Sequence, residues 1–241
     1  MIYKRPPIQE AVIEIRFTTN VSPEKLVEVE KDNAPNYPLP PIPNAMLDIE
    51  MQNGGLRVEQ RLVGFILTGP NGDEKQTIGP NNFSVSIIGS YPGWEKFVER
   101  FKRDKQIWER RCGRLTPARL GIRFVNRLDV PARPDEEVDW ATYLNTIFQI
   151  PDKMRSKTNE LQMRYVGGPL GVGQWQLTLS VAKAQPAILN HQSIVLDIDI
   201  GSTQITKVDE SLYELLKEGH DLKNSFFESS ITDAARELFK K

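Results

Sequence analysis

The amino-acid sequence predicts a two-layer α+β fold, an antiparallel sheet with helices on one face. Three observations predict it: strand segments that alternate apolar and charged residues, amphipathic helical segments, and an element order that occurs twice. The stretches IEIRF (13–17) and LGIRF (120–124) each open a series of strand, helix, strands and helix. We therefore expect an internal pseudo-duplication within one continuous structural domain, with a first α+β repeat at 1–113 and a second at 114–241.

The first repeat opens on a half-buried strand, because apolar and charged residues alternate over 13–17. The stretch SPEKLVEVEK (22–31) predicts a short helix, since Ser22 is a capping residue and Pro23 suits the first helical position. A long amphipathic helix from Trp94 to Cys112 closes the repeat, with an apolar stripe that ends just before the helix-terminating Gly113.

Residues 34–43 hold five prolines in ten positions, which excludes a central strand and a helix interior. We expect a stiff extended connector there, with a polyproline ligand for a partner domain as the alternative. Alternating segments at 46–51, 56–67 and 83–88 predict strands, and GPNGDE (69–74) predicts a turn between them.

The second repeat follows the same order. Strands are predicted at 118–130, 161–166, 174–183 and 193–200, with a helix at 135–148 after the first of them.

A long helix from about Asp209 then closes the series. Ser230 and Asp233 resemble a capping box that opens a last helical turn.

The composition is that of an ordinary globular protein, with 39% hydrophobic and 26% charged residues. No run of 18 consecutive apolar residues occurs and the N-terminus lacks a signal-peptide pattern, so we expect a cytoplasmic protein without membrane contact. The single cysteine, Cys112, excludes an internal disulfide and a multi-cysteine metal site. We expect no metal and no cofactor.

The net charge of −1 conceals a basic middle of the chain. Residues 95–127 carry eleven Lys or Arg against four Asp or Glu, whereas 9–50 and 193–241 are acidic. A basic region is the electrostatic feature of a nucleic-acid-binding surface. Six arginines of this region are the candidates for contacting a protein partner or nucleic acid: Arg100, Arg103, Arg110, Arg119, Arg123 and Arg127.

Arg119, Arg123 and Arg127 lie on one face of their strand and form an arginine ladder. A ladder of this kind suits phosphates, and the alternative is internal pairing with Glu10 and Glu14 of the first strand. The pI of about 6.2 lies far below the values typical of a dedicated nucleic-acid-binding domain. We therefore expect internal pairing.

Three weaker candidates have simpler structural interpretations. The glycine-rich stretch 166–175 lacks the Lys-Ser or Lys-Thr of a P-loop and predicts a hairpin loop. Asp197 and Asp199 share a strand face, as in metal-dependent nucleases, but are expected to be solvated carboxylates. Cys112 is expected to be a buried structural thiol, and His220 a polar histidine of a helix surface.

Three stretches together resemble a sporadically distributed bacterial protein family of roughly this length, with a PPIxEAVxEIRF-like N-terminus. They are YKRPPIQEAVIEIRF (3–17), GIRFVNRLDV (121–130) and GHDLKNSFFESSITDAARELF (219–239). The resemblance spans the chain and implies no catalytic residues. Patchy distribution is typical of toxin, antitoxin and phage-defence genes, so the resemblance implies an interaction role in such a system.

We therefore expect a non-enzymatic cytoplasmic protein that binds a protein partner, as the antitoxin or regulatory component of a toxin–antitoxin or phage-defence module. The alternative is a nucleic-acid-binding protein that uses the basic region 95–127. A weaker alternative is a metal-dependent hydrolase or nuclease at Asp197 and Asp199.

Overall fold

Nine strands and four α-helices form within the residues that the structure describes. This computed structural model describes residues 3–52, 55–133, 136, 138–146, 160–203, 205 and 210–240. The strands are β1 (Ile8–Phe17), β2 (Leu39–Gln52), β3 (Gly55–Thr68), β4 (Glu74–Ile78), β5 (Asn82–Ile88), β6 (Pro117–Pro131), β7 (Gln162–Leu170), β8 (Trp175–Ala184) and β9 (His191–Ser202). The helices are α1 (Pro23–Asn33), α2 (Trp94–Cys112), α3 (Glu210–Ser230) and α4 (Asp233–Leu238).

The strands are hydrogen-bonded in the order β2-β3-β4-β5-β1-β6-β9-β8-β7. The ladders from β2 to β5 and from β7 to β9 are antiparallel. The predicted mixture of helices with a mostly antiparallel sheet is confirmed at this level. Strands β2 and β7 are the two edges of the sheet.

The chain divides into two compact units, Val12–Leu120 and Met1–Ala11 with Gly121–Lys241. Strands β1 and β6 each contribute residues to both units, so the division falls inside these strands. The repeats predicted at 1–113 and 114–241 would instead meet in the loop between α2 and β6.

In the unit Val12–Leu120, β1 buries every second side chain, and Phe17 stacks on Trp108 of α2 with ring centres 4.5 Å apart. Helix α2 also contacts β5. It begins and ends at the predicted residues, and Gly113 follows it with φ of 80°. This left-handed conformation favours glycine, which explains why the helix ends here.

The proline-rich segment gave a partly wrong prediction. Residues Leu39 to Pro43 open strand β2 rather than forming a separate connector. Three prolines fit there because β2 is an edge strand, where a missing N–H breaks no inner ladder.

Strand β4, a short and polar segment, was not predicted. Its Ile78 carbonyl approaches Gly64 of β3 so closely that a Cβ at Gly64 would overlap it. The φ of +147° at Gly64 also requires glycine.

In the other unit, β8 and β9 bury alternate side chains, and α3 contacts β9. Thr232, not Ser230, caps α4 by accepting a hydrogen bond from the Ala235 amide, so the predicted capping residue was wrong. The helix predicted at 135–148 is a 3-10 turn at Trp140–Thr142 in its described part, and its other residues at 135, 137, 147 and 148 lie outside the described residues. Of the described helices, none has the length and apolar character needed to cross a membrane.

Candidate functional site

The predicted arginine ladder on β6 is engaged in ion pairs within the protein. Arg119 Nη1 lies 3.0 Å from Glu14 Oε2, which is one of the two carboxylates predicted as partners. Arg119 and Glu14 both belong to the unit Val12–Leu120.

Arg123 and Arg127 are paired with residues other than those predicted. Arg123 makes a two-point contact with Asp197 of β9, with Nε 2.9 Å from Oδ1 and Nη2 2.7 Å from Oδ2. The hydrogen bond to Asp197, against the opposing effect of burial, raises the pKa of Arg123. Arg127 donates to Asp129 Oδ1 at 2.8 Å and to the Ser193 hydroxyl at 3.0 Å.

The ion pairs of the three ladder arginines affect how readily these arginines could bind a phosphate. Each guanidinium of the ladder has a carboxylate partner 2.7 to 3.0 Å away. A phosphate would have to displace that carboxylate, which lowers the net gain from binding. The ladder arginines therefore contribute to ion pairs within the protein.

Arg100 lies inside the unit Val12–Leu120, although its position off the main apolar stripe predicts exposure. Its residue surface is 7% exposed, and Nη2 donates to the Ser86 carbonyl at 2.7 Å. The guanidinium also lies 5.4 Å from the centre of the Phe97 ring. In this structure Arg100 stabilises the contact between α2 and β5 and is not accessible to a partner.

A buried carboxylate positions Arg103. Asp104 is fully buried, accepts a short hydrogen bond from the Tyr37 hydroxyl, and receives Arg103 Nε at 2.7 Å. Burial alone would lower the pKa of Arg103, but the bond to Asp104 raises it, so the guanidinium stays charged. Burial, followed by the Asp104 charge, raises the pKa of Tyr37. The Arg103 side chain, 43% exposed, is therefore held at a fixed position on the surface of α2.

Arg103 and Arg110 both line an open groove along α2, called the α2 groove here. It has a volume of about 520 Å³. Its lining consists of Arg103, Gln106, Ile107, Glu109, Arg110 and Arg114. The one carboxylate of the lining, Glu109, is paired with Lys105 at 2.5 Å. The α2 groove thus combines three guanidinium groups with little apolar surface, because Ile107 is only 7% exposed, and this lining suits an anionic ligand.

Sequence analysis missed Lys223, a buried lysine of α3. It is 5% exposed, its Nζ lies 3.7 Å from the centre of the Phe124 ring, and Nζ donates to Asn224 Oδ1 at 2.6 Å. Burial lowers its pKa to about 7. The residue lies on the buried stripe of α3 together with Leu216 and Phe227, and this spacing was the signal that could have revealed it.

The remaining candidates from the sequence are Cys112, His220 and clusters of metal ligands. Burial raises the pKa of Cys112 to about 11, which agrees with the predicted structural thiol. Burial, followed by the Lys223 charge, lowers the pKa of His220 to about 3, so the predicted helix-surface histidine is in fact half-buried and neutral. Within the described parts of the chain, no three His, Cys, Asp or Glu side chains cluster as metal ligands.

No protein-family model and no curated protein matches this sequence. The resemblance described from the three sequence stretches therefore stays a prediction, and the functional argument depends on the geometry of the two units.

Proposed function

We propose that this protein is a non-enzymatic cytoplasmic protein-binding protein that engages an acidic segment of its partner in the α2 groove. The observation that supports the proposal is that Arg103 and Arg110 both line this open groove, Arg103 as a partly exposed guanidinium that is also bonded to Asp104. Arginine is one of the residue types enriched among those that dominate protein–protein binding energy. The resemblance described above supports a further step, a role as the antitoxin or regulatory component of a toxin–antitoxin or phage-defence module.

Nucleic-acid binding is the second candidate, because the same groove also suits phosphates. Two observations favour a protein partner over nucleic acid. The ladder arginines that would extend the basic surface are paired with Glu14, Asp197 and Asp129. The chain also has a net charge of −1, so no overall positive field attracts a polyanion.

A metal-dependent nuclease is the weakest candidate. One of its two proposed carboxylates, Asp197, is bound at two points by Arg123. A cation would have to compete with that guanidinium for the carboxylate oxygens.

We also propose the finer description of the fold, helices on one face of the sheet and an internal duplication at 1–113 and 114–241. The long helix that ends each half, α2 or α3, supports it, as does the similarity of IEIRF (13–17) to LGIRF (120–124). Residues 13–17 should then superpose on 120–124 when the halves are aligned in an experimental structure. Non-equivalent positions for these two segments would contradict the duplication.

The test of function compares two anionic probes on the full chain, an acidic peptide of alternating Asp and Leu and a single-stranded DNA of similar charge. Arg110→Glu places a negative charge in the α2 groove and is expected to weaken peptide binding by roughly tenfold or more. Lys96→Glu is the matched control, because it makes the same charge change at an exposed position of α2 outside the groove. Fluorescence anisotropy at two salt concentrations gives each dissociation constant.

The outcomes separate the candidates. Tighter binding of the peptide than of the DNA, lost in Arg110→Glu and kept in Lys96→Glu, supports a protein partner. Tighter binding of the DNA, with an affinity that falls steeply with salt, supports the nucleic-acid function instead. Equal effects of both variants would mean that the α2 groove is not the site.

A further inference from the structure

Among the described strands, β7 is an edge of the sheet. It is the last strand of the sheet, and among the described strands none pairs with its outer side. Tyr165 and Val166, in the middle of β7, are 56% and 61% exposed. Edge strands that combine open main-chain groups with exposed apolar side chains pair with strands of other chains unless the edge is protected.

The opposite edge of the sheet is protected in this way only over the start of β2, Leu39–Pro43. Strand β2 contains Pro40, Pro41 and Pro43, and proline has no N–H to donate. Strand β7 contains no proline before Pro169, near its end. On β7, the regular stretch Gln162–Gly167, with the exposed Tyr165 and Val166, is the part suited to accept another strand.

One flank of α3 lies beside the hairpin that begins with β7. Glu218 of α3 accepts hydrogen bonds from the amides of Val172 at 2.7 Å and Gly173 at 3.2 Å, both in the turn between β7 and β8. The same flank lines an open groove of about 540 Å³. Its residues are Glu214, Lys217, Glu218, Asp221, Leu222 and Ser225. Three carboxylates against one ammonium make this flank acidic.

The register of β7 against β8 indicates which face of the sheet the β7 side chains occupy. Tyr165 lies opposite Leu179 of β8, whose side chain is buried. Tyr165 therefore belongs to the face of β8 and β9 that the buried side chains occupy. A strand added outside β7 would extend this face past Tyr165 and bring alternate side chains toward the acidic flank of α3.

We infer that β7 is the docking strand for an extended segment of a partner protein in which basic residues alternate with apolar ones. Main-chain hydrogen bonds to β7 supply the affinity, and every second side chain supplies the specificity. The basic residues face Glu214 and Asp221, and the apolar residues lie on the other face beside Val166. The inference adds a second contact to the proposed protein-binding function and does not depend on the α2 groove.

The experiment uses the full chain and two decapeptides, one of alternating Val and Lys and one of alternating Val and Glu. The Lys peptide is expected to bind roughly tenfold more tightly than the Glu peptide. Its binding should slow amide hydrogen exchange in Gln162–Leu170 and leave exchange in β2 unchanged. Asp221→Lys should remove most of the preference for the Lys peptide.

Glu237→Lys is the matched control, since its side chain is 64% exposed against 65% for Asp221 and it lies outside the flank. This variant should keep the wild-type preference.

The inference is overturned if the protected amides lie outside β7, if neither peptide binds, or if Asp221→Lys and Glu237→Lys behave alike. It is also overturned if the protein alone forms dimers that protect β7, because the occupant is then a second copy of the chain. Arg110→Glu should not change binding of the Lys peptide. The proposal for the α2 groove and the inference for β7 are therefore tested independently.

Discussion

The ammonium nitrogen of Lys223 lies 3.7 Å above the centre of the Phe124 ring, within the unit that contains both residues. The ring attracts the cation, and Asn224 accepts one of its hydrogen bonds. No carboxylate of the described residues forms an ion pair with it, because Glu228 is engaged by Tyr3 and Arg236. Within the described residues, Lys223 is thus a buried cation stabilised by an aromatic face, an amide and the nearby charge of Glu228, without a direct ion pair.

Replacing Lys223 by Met should therefore stabilise the protein in a pH-dependent way. Burial lowers the pKa of Lys223 in the folded state to about 7 from 10.5. The folded state binds fewer protons than the unfolded state between these values, so wild-type stability rises with pH across this window. The gain from Lys223→Met should be roughly 2 kcal/mol or more near pH 6 and should vanish above about pH 10.

Urea unfolding at both pH values checks this prediction. Lys217→Met, at an exposed position of the same helix, should change stability little at either pH. A loss of stability in Lys223→Met that is equal at both pH values would show that the lysine contributes packing and not a charge penalty.

Arg123→Ala should lower the free energy of unfolding by about 0.5 to 1 kcal/mol. The loss is small because the Arg123 side chain is 46% exposed and solvent screens its pair with Asp197. Asp197→Ala should cost a similar amount, and the double variant should cost less than the sum. A double-mutant cycle by urea unfolding measures the coupling, and strictly additive losses would mean that the pair contributes nothing.

Gly64→Ala should destabilise the protein far more than Gly72→Ala. Both glycines have positive φ, 147° and 81°, so both variants carry backbone strain of about 1 kcal/mol. A Cβ at Gly72 meets no atom within 4 Å, whereas one at Gly64 overlaps the Ile78 carbonyl of β4. Thermal unfolding should therefore show an additional loss of roughly 2 kcal/mol for Gly64→Ala. Equal losses would contradict the close approach of β3 and β4.

Cys112 should resist thiol reagents in the folded protein. Its side chain is 5% exposed, and burial raises its pKa to about 11, so little thiolate forms near pH 8. Alkylation should be at least roughly a hundredfold slower than in denaturant. Cys112 is the only cysteine of the sequence, so the mass of the labelled protein reports this site alone. Rapid labelling under native conditions would show that the end of α2 opens readily.

Features that depend on local sequence were predictable. The bounds of α2 follow from its apolar stripe and from Gly113, both of which act within a few residues of the chain. The β7–β8 hairpin likewise follows from the glycines of 166–175.

Features that depend on distant parts of the chain were not predictable. The partner of Arg123 is Asp197 because β6 and β9 are neighbours in the sheet, an arrangement that no local pattern encodes. Arg100 is buried because β5 supplies the Ser86 carbonyl as its acceptor. A charged residue on a helical stripe can be recognised in the sequence, but whether the fold provides a partner for it depends on the tertiary structure.

The three prolines of β2 also limit how an assembly of this protein can grow. Sheet polymerisation requires that each added subunit present a second edge to the next one. If a strand docks on β7, the far edge of the same sheet lacks N–H groups at Pro40, Pro41 and Pro43, so a further ladder could form there only from Asn44 onward. These prolines therefore shorten the stretch of β2 on which a stack of subunits could continue the sheet.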